Sequence, residues 1–498
     1  MSHTFLRKFG TVSLCIAISL SAFWNHAALV YADIDYAEEA EERKSLPIQT
    51  NEIENWPQGP QIGAEGAILM EVNTGTILYA KNIDERLYPA STTKILTALV
   101  AIENAELNED VSFSYEAVFS IERGSSNMGM NVGEVITMEQ CLYGILVYSA
   151  NEVCNAIGEH IAGSIDGYVD MMNAKAAELG CTNSHFVTTN GLHDENHYTT
   201  PRDLATIACA FFSNQTLSKM ADTAYYYIPP SPTQPDANKD LWTHNSLTKG
   251  TYTYDGYIGG KTGYTSDSRQ TLVSCAERDG MKLVCVIMKE ESPNQFLDTI
   301  ALFDYGFNNF QILNISENET NYTINDADLF QTESDILFSS NPIIEIGSQD
   351  CVVIPNTITF QDLTSTLSYE TSDTEGDQSL LATIRYQYQG QDVGNASISF
   401  TPDSVPAIAD SASGTDSSLS PDNASDILLP SESKSGSIIF INVLKVIGII
   451  LLILVVIIIL IIIIAFCRNY NFARKRRSRL SRKLRRRNRT PRNRRRNL

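Results

Sequence analysis

Two apolar runs near the N-terminal third, Ala67-Ile68-Leu69-Met70-Glu71-Val72 and Thr76-Ile77-Leu78-Tyr79-Ala80, enclose Asn73-Thr74-Gly75. That is the pattern of a β-hairpin closed by a glycine-bearing turn. From about residue 91 to 222 the apolar spacing lengthens to the helical period, including Met138–Val147, Asn151–Ala162 and Tyr168–Glu178. Strand character returns at Tyr257–Gly260, and a hairpin follows: Gln270–Ala276, Asp279-Gly280 as its turn, then Met281–Met288. An amphipathic helix from about Pro293 to Asn308 is predicted to pack behind it. Strands on both sides of a helical block predict an α+β domain over 61–308, one antiparallel sheet flanked by helices with the block to one side. Between 309 and 401 the texture changes to short alternating runs broken by Asn, Ser, Gly and Asp, with Cys351–Pro355 and Thr383–Tyr388 as the best strands. This predicts a small all-β domain without a catalytic cluster, a spacer or partner-binding module.

The ends carry different signals. Arg7 and Lys8 precede an apolar core from about Thr11 to Phe23, and Val30-Tyr31-Ala32 offers a small-residue cleavage site, so 1–32 reads as a secretory signal. Residues 33–60 are acidic and weakly patterned, expected as a mobile leader. Residues 402–436, rich in Ser, Asp and Pro, have the composition of a disordered linker. The segment 437–467 contains Val446–Cys467, almost all Ile, Leu and Val and uncharged. At 1.5 Å per residue that core extends about 33 Å, enough for one transmembrane helix.

Net charge changes the picture only once it is divided. The chain of 498 residues carries −22 overall, yet 16 of its 37 Lys and Arg lie in 468–498, where there is no acid. Positive charge marks the cytoplasmic side of a membrane. The strongly acidic remainder is therefore expected outside a cell membrane that the chain crosses once. The Arg-rich tail is read as retention plus attraction to anionic lipid, and no nucleic-acid partner is expected.

Of nine cysteines, seven lie between the two apolar terminal segments, with no C-x-x-C pair. Neither a zinc site, nor any cofactor, nor a disulfide framework is expected. His193 and His197 read as polar loop residues. A polar, glycine-bearing loop, Gly124–Met130, is placed to border a cleft or to serve as a plain connection.

Candidate chemistry begins at Pro89-Ala90-Ser91-Thr92-Thr93-Lys94, just before the apolar run Ile95–Val100. Positions i and i+3 share a helix face, so Lys94 can reach back to the Ser91 hydroxyl. Serine needs a neighbouring base to act as a nucleophile, and lysine serves as one only where its surroundings keep it neutral. Ser149-Ala150-Asn151 follows one apolar stretch and Lys261-Thr262-Gly263 follows another. Each motif is weak alone. Ser-x-x-Lys, Ser-x-Asn and Lys-Thr-Gly in that order form the pattern of serine enzymes that handle penicillins.

With Tyr264-Thr265 after the last motif, and with Asn190–Asp194 and His197–Leu204 also in place, the chain resembles the serine-type D-Ala-D-Ala carboxypeptidases. These are low-molecular-weight penicillin-binding proteins. The likeness covers about 62–308, with a looser match of the β domain to the family's C-terminal module. It implies a transpeptidase/β-lactamase-like fold, secretion, and removal of the terminal D-alanine from peptidoglycan stem peptides, with β-lactams as acylating inhibitors. Carried over by position, Ser91 is acylated, Lys94 takes its proton, and Ser149 bridges Lys94 and Lys261. Asn151 holds the substrate backbone, Lys261 and Thr262 bind the terminal carboxylate, and Gly263 lets the substrate lie close along the strand. The backbone amides of Ser91 and Tyr264 form the oxyanion hole. Two departures stand out: a spanning segment where the family often has an amphipathic helix, and Tyr264 where other members carry His or Phe.

A class A β-lactamase shares the three motifs but needs a deacylating Glu with Asn four residues on. Glu152, Glu159, Glu178 and Glu195 are followed at that spacing by Ala156, Gly163, Thr182 and Thr199. A non-catalytic peptidoglycan or β-lactam sensor is the reading from another class; the spanning segment and basic tail suit it, but the tail is short and uniform and every catalytic position is filled.

Overall fold

The computed structural model describes residues 36–320, 344–369 and 379–400. The signal segment 1–32, the linker 402–436, the apolar segment 437–467 and the basic tail 468–498 lie outside the described residues. Among the described residues no helix is long and apolar enough to cross a membrane.

The main sheet of the α+β domain is built around the expected hairpins. Strands β1 (Gly66–Glu71) and β2 (Ile77–Lys81) pair antiparallel on one edge. Strands β3 (Asp110–Ser112) and β4 (Val135–Thr137), then β5 (Tyr225–Ile228) and β6 (Lys239–Trp242), form two small ladders in the intervening helical region. Strands β7 (Tyr257–Thr265), β8 (Arg269–Arg278) and β9 (Met281–Glu290) complete the main sheet, in the order β2-β1-β9-β8-β7. Asp279 (φ 49°) and Gly280 (φ 80°) make the β8–β9 turn, the double left-handed conformation that suits a two-residue hairpin.

Helices cover both faces. Beginning at the N-terminal side they are α1 (Tyr36–Arg43), α2 (Lys94–Asn104), α3 (Tyr115–Phe119), α4 (Met138–Val147), α5 (Asn151–Ala162), α6 (Ile165–Glu178), α7 (Pro201–Ser213), α8 (Gln215–Ala221) and α9 (Asn294–Asn309). Their ends follow local chemistry. Thr137 and Gln140 form a capping box at the start of α4, Gly163 closes α5 in the left-handed region, and Thr200 caps α7 with Pro201 in its first turn.

Period-2 alternation sorts the sheet's side chains into two cores. Ile68, Val273, Cys275, Val284 and Val286 face the helical block, whereas Leu69, Leu272, Ala276, Leu283 and Ile287 face α9 through Phe296, Leu302 and Phe303. The seven cysteines among the described residues carry free thiols.

The second sheet starts as α9 ends. It comprises β10 (Phe310–Asn314), β11 (Ile344–Ile346), β12 (Cys351–Pro355), β13 (Thr364–Ser368), β14 (Ser379–Tyr388) and β15 (Gln391–Phe400). Its order is β10-β12-β15-β14-β13, with β11 also on β15. Trp56 joins it to the α+β domain: its ring lies 5.2 Å from Phe310 and 6.4 Å from Tyr388, and Nε1 donates to Leu78 O at 2.9 Å.

Trp56 belongs to the stretch expected as a mobile leader, and there the expectation fails. From residue 36 onward the leader is part of the fold. The four glutamates of α1 supply an acidic solvent side, while Ala40 and Arg43 are buried. Arg43 Nε donates to Gly63 O at 2.8 Å, and Lys81 Nζ donates to Arg43 O at 2.7 Å. A single buried side per turn leaves little periodicity for a sequence reading to find.

Candidate active site

Ser91 sits in a one-turn 3-10 segment, Ala90–Thr93, that leads directly into α2 at Lys94. The turn is held from three sides. Pro89 O accepts from Thr92 Oγ1 at 2.7 Å and from Thr271 Oγ1 of β8 at 2.9 Å. Gly191, at φ 82°, packs so closely that a Cβ there would overlap the Ala90 carbonyl. Gly263 lies on the other side, where a Cβ would stand 2.9 Å from the Ser91 amide nitrogen and 3.0 Å from Pro89 O. Gly263 is therefore required by the Ser91 turn itself, a reason distinct from room for a substrate backbone. Ala90 (φ 50°) and Ser149 (φ 65°) are held in the left-handed region, a local cost of order 1–3 kcal/mol that the surrounding contacts must offset.

Lys94 is fully buried, and its Nζ meets three oxygens: Ser91 Oγ at 2.9 Å, Asn151 Oδ1 at 2.7 Å and Asn190 O at 2.6 Å. The last two accept only. A neutral amine has two N–H groups and one lone pair, so donation to Asn151 and Asn190 leaves the lone pair facing the Ser91 hydroxyl. Burial pulls Lys94 down to about 8, against the opposing influence of Cys154 and Glu152. Turning Asn151 Oδ1 toward Lys94 leaves its Nδ2 for another partner.

Lys261 comes from β7, an edge strand of the main sheet, and donates to Ser149 Oγ at 3.0 Å and to Thr262 O at 2.8 Å. Its pKa lies well below the lysine range, first through burial and then through Lys94.

The three motifs border one cleft of about 390 Å³, lined by Ser91, Ser149, Thr262, Gly263 and Tyr264 together with Ser126, His244, Ser246, Gln270, Ser292, Gln295 and Phe296. No carboxylate is among them. Ser126 belongs to the polar loop, which borders the cleft as one of its two expected readings had it. Its carbonyl accepts from the Asn151 amide at 2.9 Å, and the buried Glu152 carboxylate accepts from Met128 N at 2.7 Å. Glu152 thus anchors the loop. Tyr264 stands half exposed at the rim, 5.7 Å from the Arg269 guanidinium. Arg269 is held by Glu291 at 2.8 and 2.7 Å and lies 3.7 Å over the Tyr36 ring of α1.

Sequence reasoning missed the Asn190 carbonyl as a ligand of Lys94, since a backbone oxygen leaves no residue-type signal. His197 lies in a loop as expected, but its ring is buried, 2% exposed, which its polar sequence surroundings did not signal. His197 Nδ1 accepts from the amides of Val187 and Thr188 at 3.1 and 3.3 Å, so Nε2–H donates to Thr93 Oγ1 at 2.9 Å. Burial lowers its pKa to about 3, and it fixes the loop against the Ser91 turn as a neutral ring.

A family model described as D-alanyl-D-alanine carboxypeptidase matches residues 53–292. Among curated proteins, the carboxypeptidase DacB2 of Mycobacterium tuberculosis is 33% identical over 258 residues, 50% of this chain and 84% of that protein. The D-alanyl-D-alanine carboxypeptidase of Streptomyces sp. strain K15 is 31% identical over 260 residues, 50% and 88% of the two chains. DacF of Bacillus subtilis is 31% identical over 254 residues, and there the match spans only 63% of the relative's own length. The solved structure of penicillin binding protein 5 from Haemophilus influenzae superposes with a TM-score of 0.54, covering 69% of this chain and 98% of that one at 23% identity, a likeness of fold. Three motifs meeting in one cleft, on a matching fold and within a matching stretch of sequence, lead to one conclusion: the chain belongs to the D-alanyl-D-alanine carboxypeptidase family.

Proposed function

We propose that this protein is a serine-type D-Ala-D-Ala carboxypeptidase that removes the terminal D-alanine from peptidoglycan stem peptides through an acyl-enzyme on Ser91. The observation that carries the reading is the triple ligation of Lys94, which aims a lone pair at the Ser91 hydroxyl 2.9 Å away. Ser91 Oγ attacks the carbonyl of the penultimate residue while Lys94 takes the hydroxyl proton. The negative oxygen that develops is met by the Ser91 and Tyr264 amides, where losing one donor raises a barrier by about 3 kcal/mol. Collapse breaks the C–N bond, and the proton taken up by Lys94 passes to the leaving amine by way of Ser149, whose hydroxyl is held by Lys261 at 3.0 Å, so Lys94 is neutral again. Lys94 then takes a proton from an attacking water, and the same proton goes to Ser91 Oγ as the ester C–O bond breaks, restoring the serine and freeing the shortened peptide.

Lys261 and Thr262 bind the substrate carboxylate, whose charge favours the protonated form of Lys261. Asn151 Nδ2 holds the substrate backbone. A β-lactam enters by the same attack and remains as the ester. Three of the four glutamates weighed for a β-lactamase are engaged elsewhere: Glu152 anchors the loop, Glu159 accepts from Ser114, and Glu178 pairs with Lys175. The filled catalytic positions weigh against a sensor that only binds.

Placement outside the cytoplasm, anchored by 437–467 with the tail inside, is part of the same proposal and rests on the charge and hydropathy of the two ends. Steady release of D-alanine from an acyl-D-Ala-D-Ala peptide tests the activity. Wild type is expected to turn over and Ser91→Ala to be silent; binding without release would overturn the reading in favour of a sensor.

A further inference from the structure

Strands β5 and β6 pair antiparallel with Tyr225 opposite Trp242 and Tyr227 opposite Asp240. The alternate positions point inward. Ile228 and Leu241 are buried, Tyr226 stacks on Tyr143 at 3.8 Å, and Lys239 forms a buried ion pair with Glu134 at 2.9 Å. The hairpin is thus firmly seated, yet its outer side is aromatic: Tyr225, Tyr227 and Trp242 are 41%, 44% and 54% exposed. Tyr225 and Trp242 lie side by side, ring centroids 4.7 Å apart. The hydroxyls are oriented, Tyr225 OH donating to Asp240 at 2.6 Å and Tyr227 OH to Asn238 at 3.2 Å.

Large exposed aromatics grouped on a rigid ladder mark an interaction surface. What this one fits follows from its composition and its position. Flat rings edged by a carboxylate, an amide and two phenols suit a ligand with apolar C–H faces and a rim of hydroxyls, which is a sugar ring. Anionic lipid suits it poorly, since Asp240 faces the same way. The outer row also continues into the cleft: beyond Trp242, alternate residues His244 and Ser246 line the site, while Thr243 and Asn245 between them are buried. One extended step of two residues, about 7 Å, separates Trp242 from the cleft wall.

We propose that the outer side of β5–β6 is a glycan-binding platform that holds the sugar strand from which the stem peptide hangs, delivering the peptide into the adjacent cleft. This rests on the proposed substrate and extends it from peptide to polymer. The test uses the full chain. With Ser91→Ala, binding to peptide-free peptidoglycan glycan strands is measured by calorimetry, with and without Trp242→Ala plus Tyr225→Ala. With Ser91 intact, kcat/KM is compared on glycan-linked peptides and on a free acyl-D-Ala-D-Ala peptide. The double variant is expected to weaken glycan binding and kcat/KM on the linked substrate about tenfold each, with free-peptide turnover unchanged. Trp242→Phe, which keeps a ring, should retain most of the binding. Equal losses on both substrates, no loss on either, or loss of binding to anionic phospholipid vesicles instead of glycan would overturn the platform. If wild type releases D-alanine from neither substrate, the carboxypeptidase reading fails, and the peptide-free strands still decide the platform.

Discussion

At the scale of single residues the site turns on the protonation of Lys94. Its side chain is buried among acceptors and its pKa is lowered to about 8. Acylation needs the neutral amine, so kcat/KM should rise about tenfold per pH unit on the acid side and level off above about pH 8. A profile flat from pH 6 to 9 would mean that Lys94 is not the base. Gly263 gives a second prediction. Gly263→Ala places a methyl group 2.9 Å from the Ser91 amide, so it should displace the nucleophile and cost about a hundredfold in kcat. A near-normal rate would show that the turn has slack. Ser91, Lys94, Ser149, Asn151 and Lys261 were legible because reactive side chains at fixed spacing are a sequence signal. The Asn190 carbonyl and the true constraint on Gly263 were not, because one is backbone and the other is a contact between distant segments.

Among elements, the N-terminal segment does more than its composition suggests. Helix α1 brings Tyr36 over Arg269 beside the cleft rim, and Trp56 fills the seam between the catalytic domain and the second sheet. Trp56→Ala should destabilise the protein by about 3–5 kcal/mol, read from denaturant melts, with the Lys94 pH profile intact. A change below about 1 kcal/mol would show that the seam closes without the indole. The hairpins and the long helices were readable from period and turn residues alone; α4 and α5 fall where their apolar spacing put them. α1 was not, since its acidic outer side dominates the pattern and its buried contacts reach across to Gly63 and Lys81.

For the molecule as a whole, stability and topology were legible to different depths. The antiparallel sheet flanked by helices and the all-β sheet after residue 309 followed from the order of textures along the chain. The buried pair Glu290 and Asp298 did not: a helix behind the hairpin was expected, but which of its side chains would meet β9 is a tertiary contact with no residue-type signal. Burial and the neighbouring Asp298 raise Glu290 to about 8, so it stays protonated in the fold near neutrality, whereas in the unfolded chain it ionises near 4.5. A raised carboxyl contributes stability in full below 4.5 and loses it as pH rises toward 8. Glu290→Gln should therefore gain stability relative to wild type as pH goes from 5 to 8; a constant difference across that range would contradict the raised Glu290 carboxyl.

The account stands most directly on where the covalent bond forms. The full chain would be incubated with a β-lactam, digested, and its adduct located by peptide mass mapping. The adduct is predicted on the peptide carrying Ser91, and none is predicted in the Ser91→Ala variant. An adduct on Ser149 or any other residue, or D-alanine release that persists without Ser91, would contradict it.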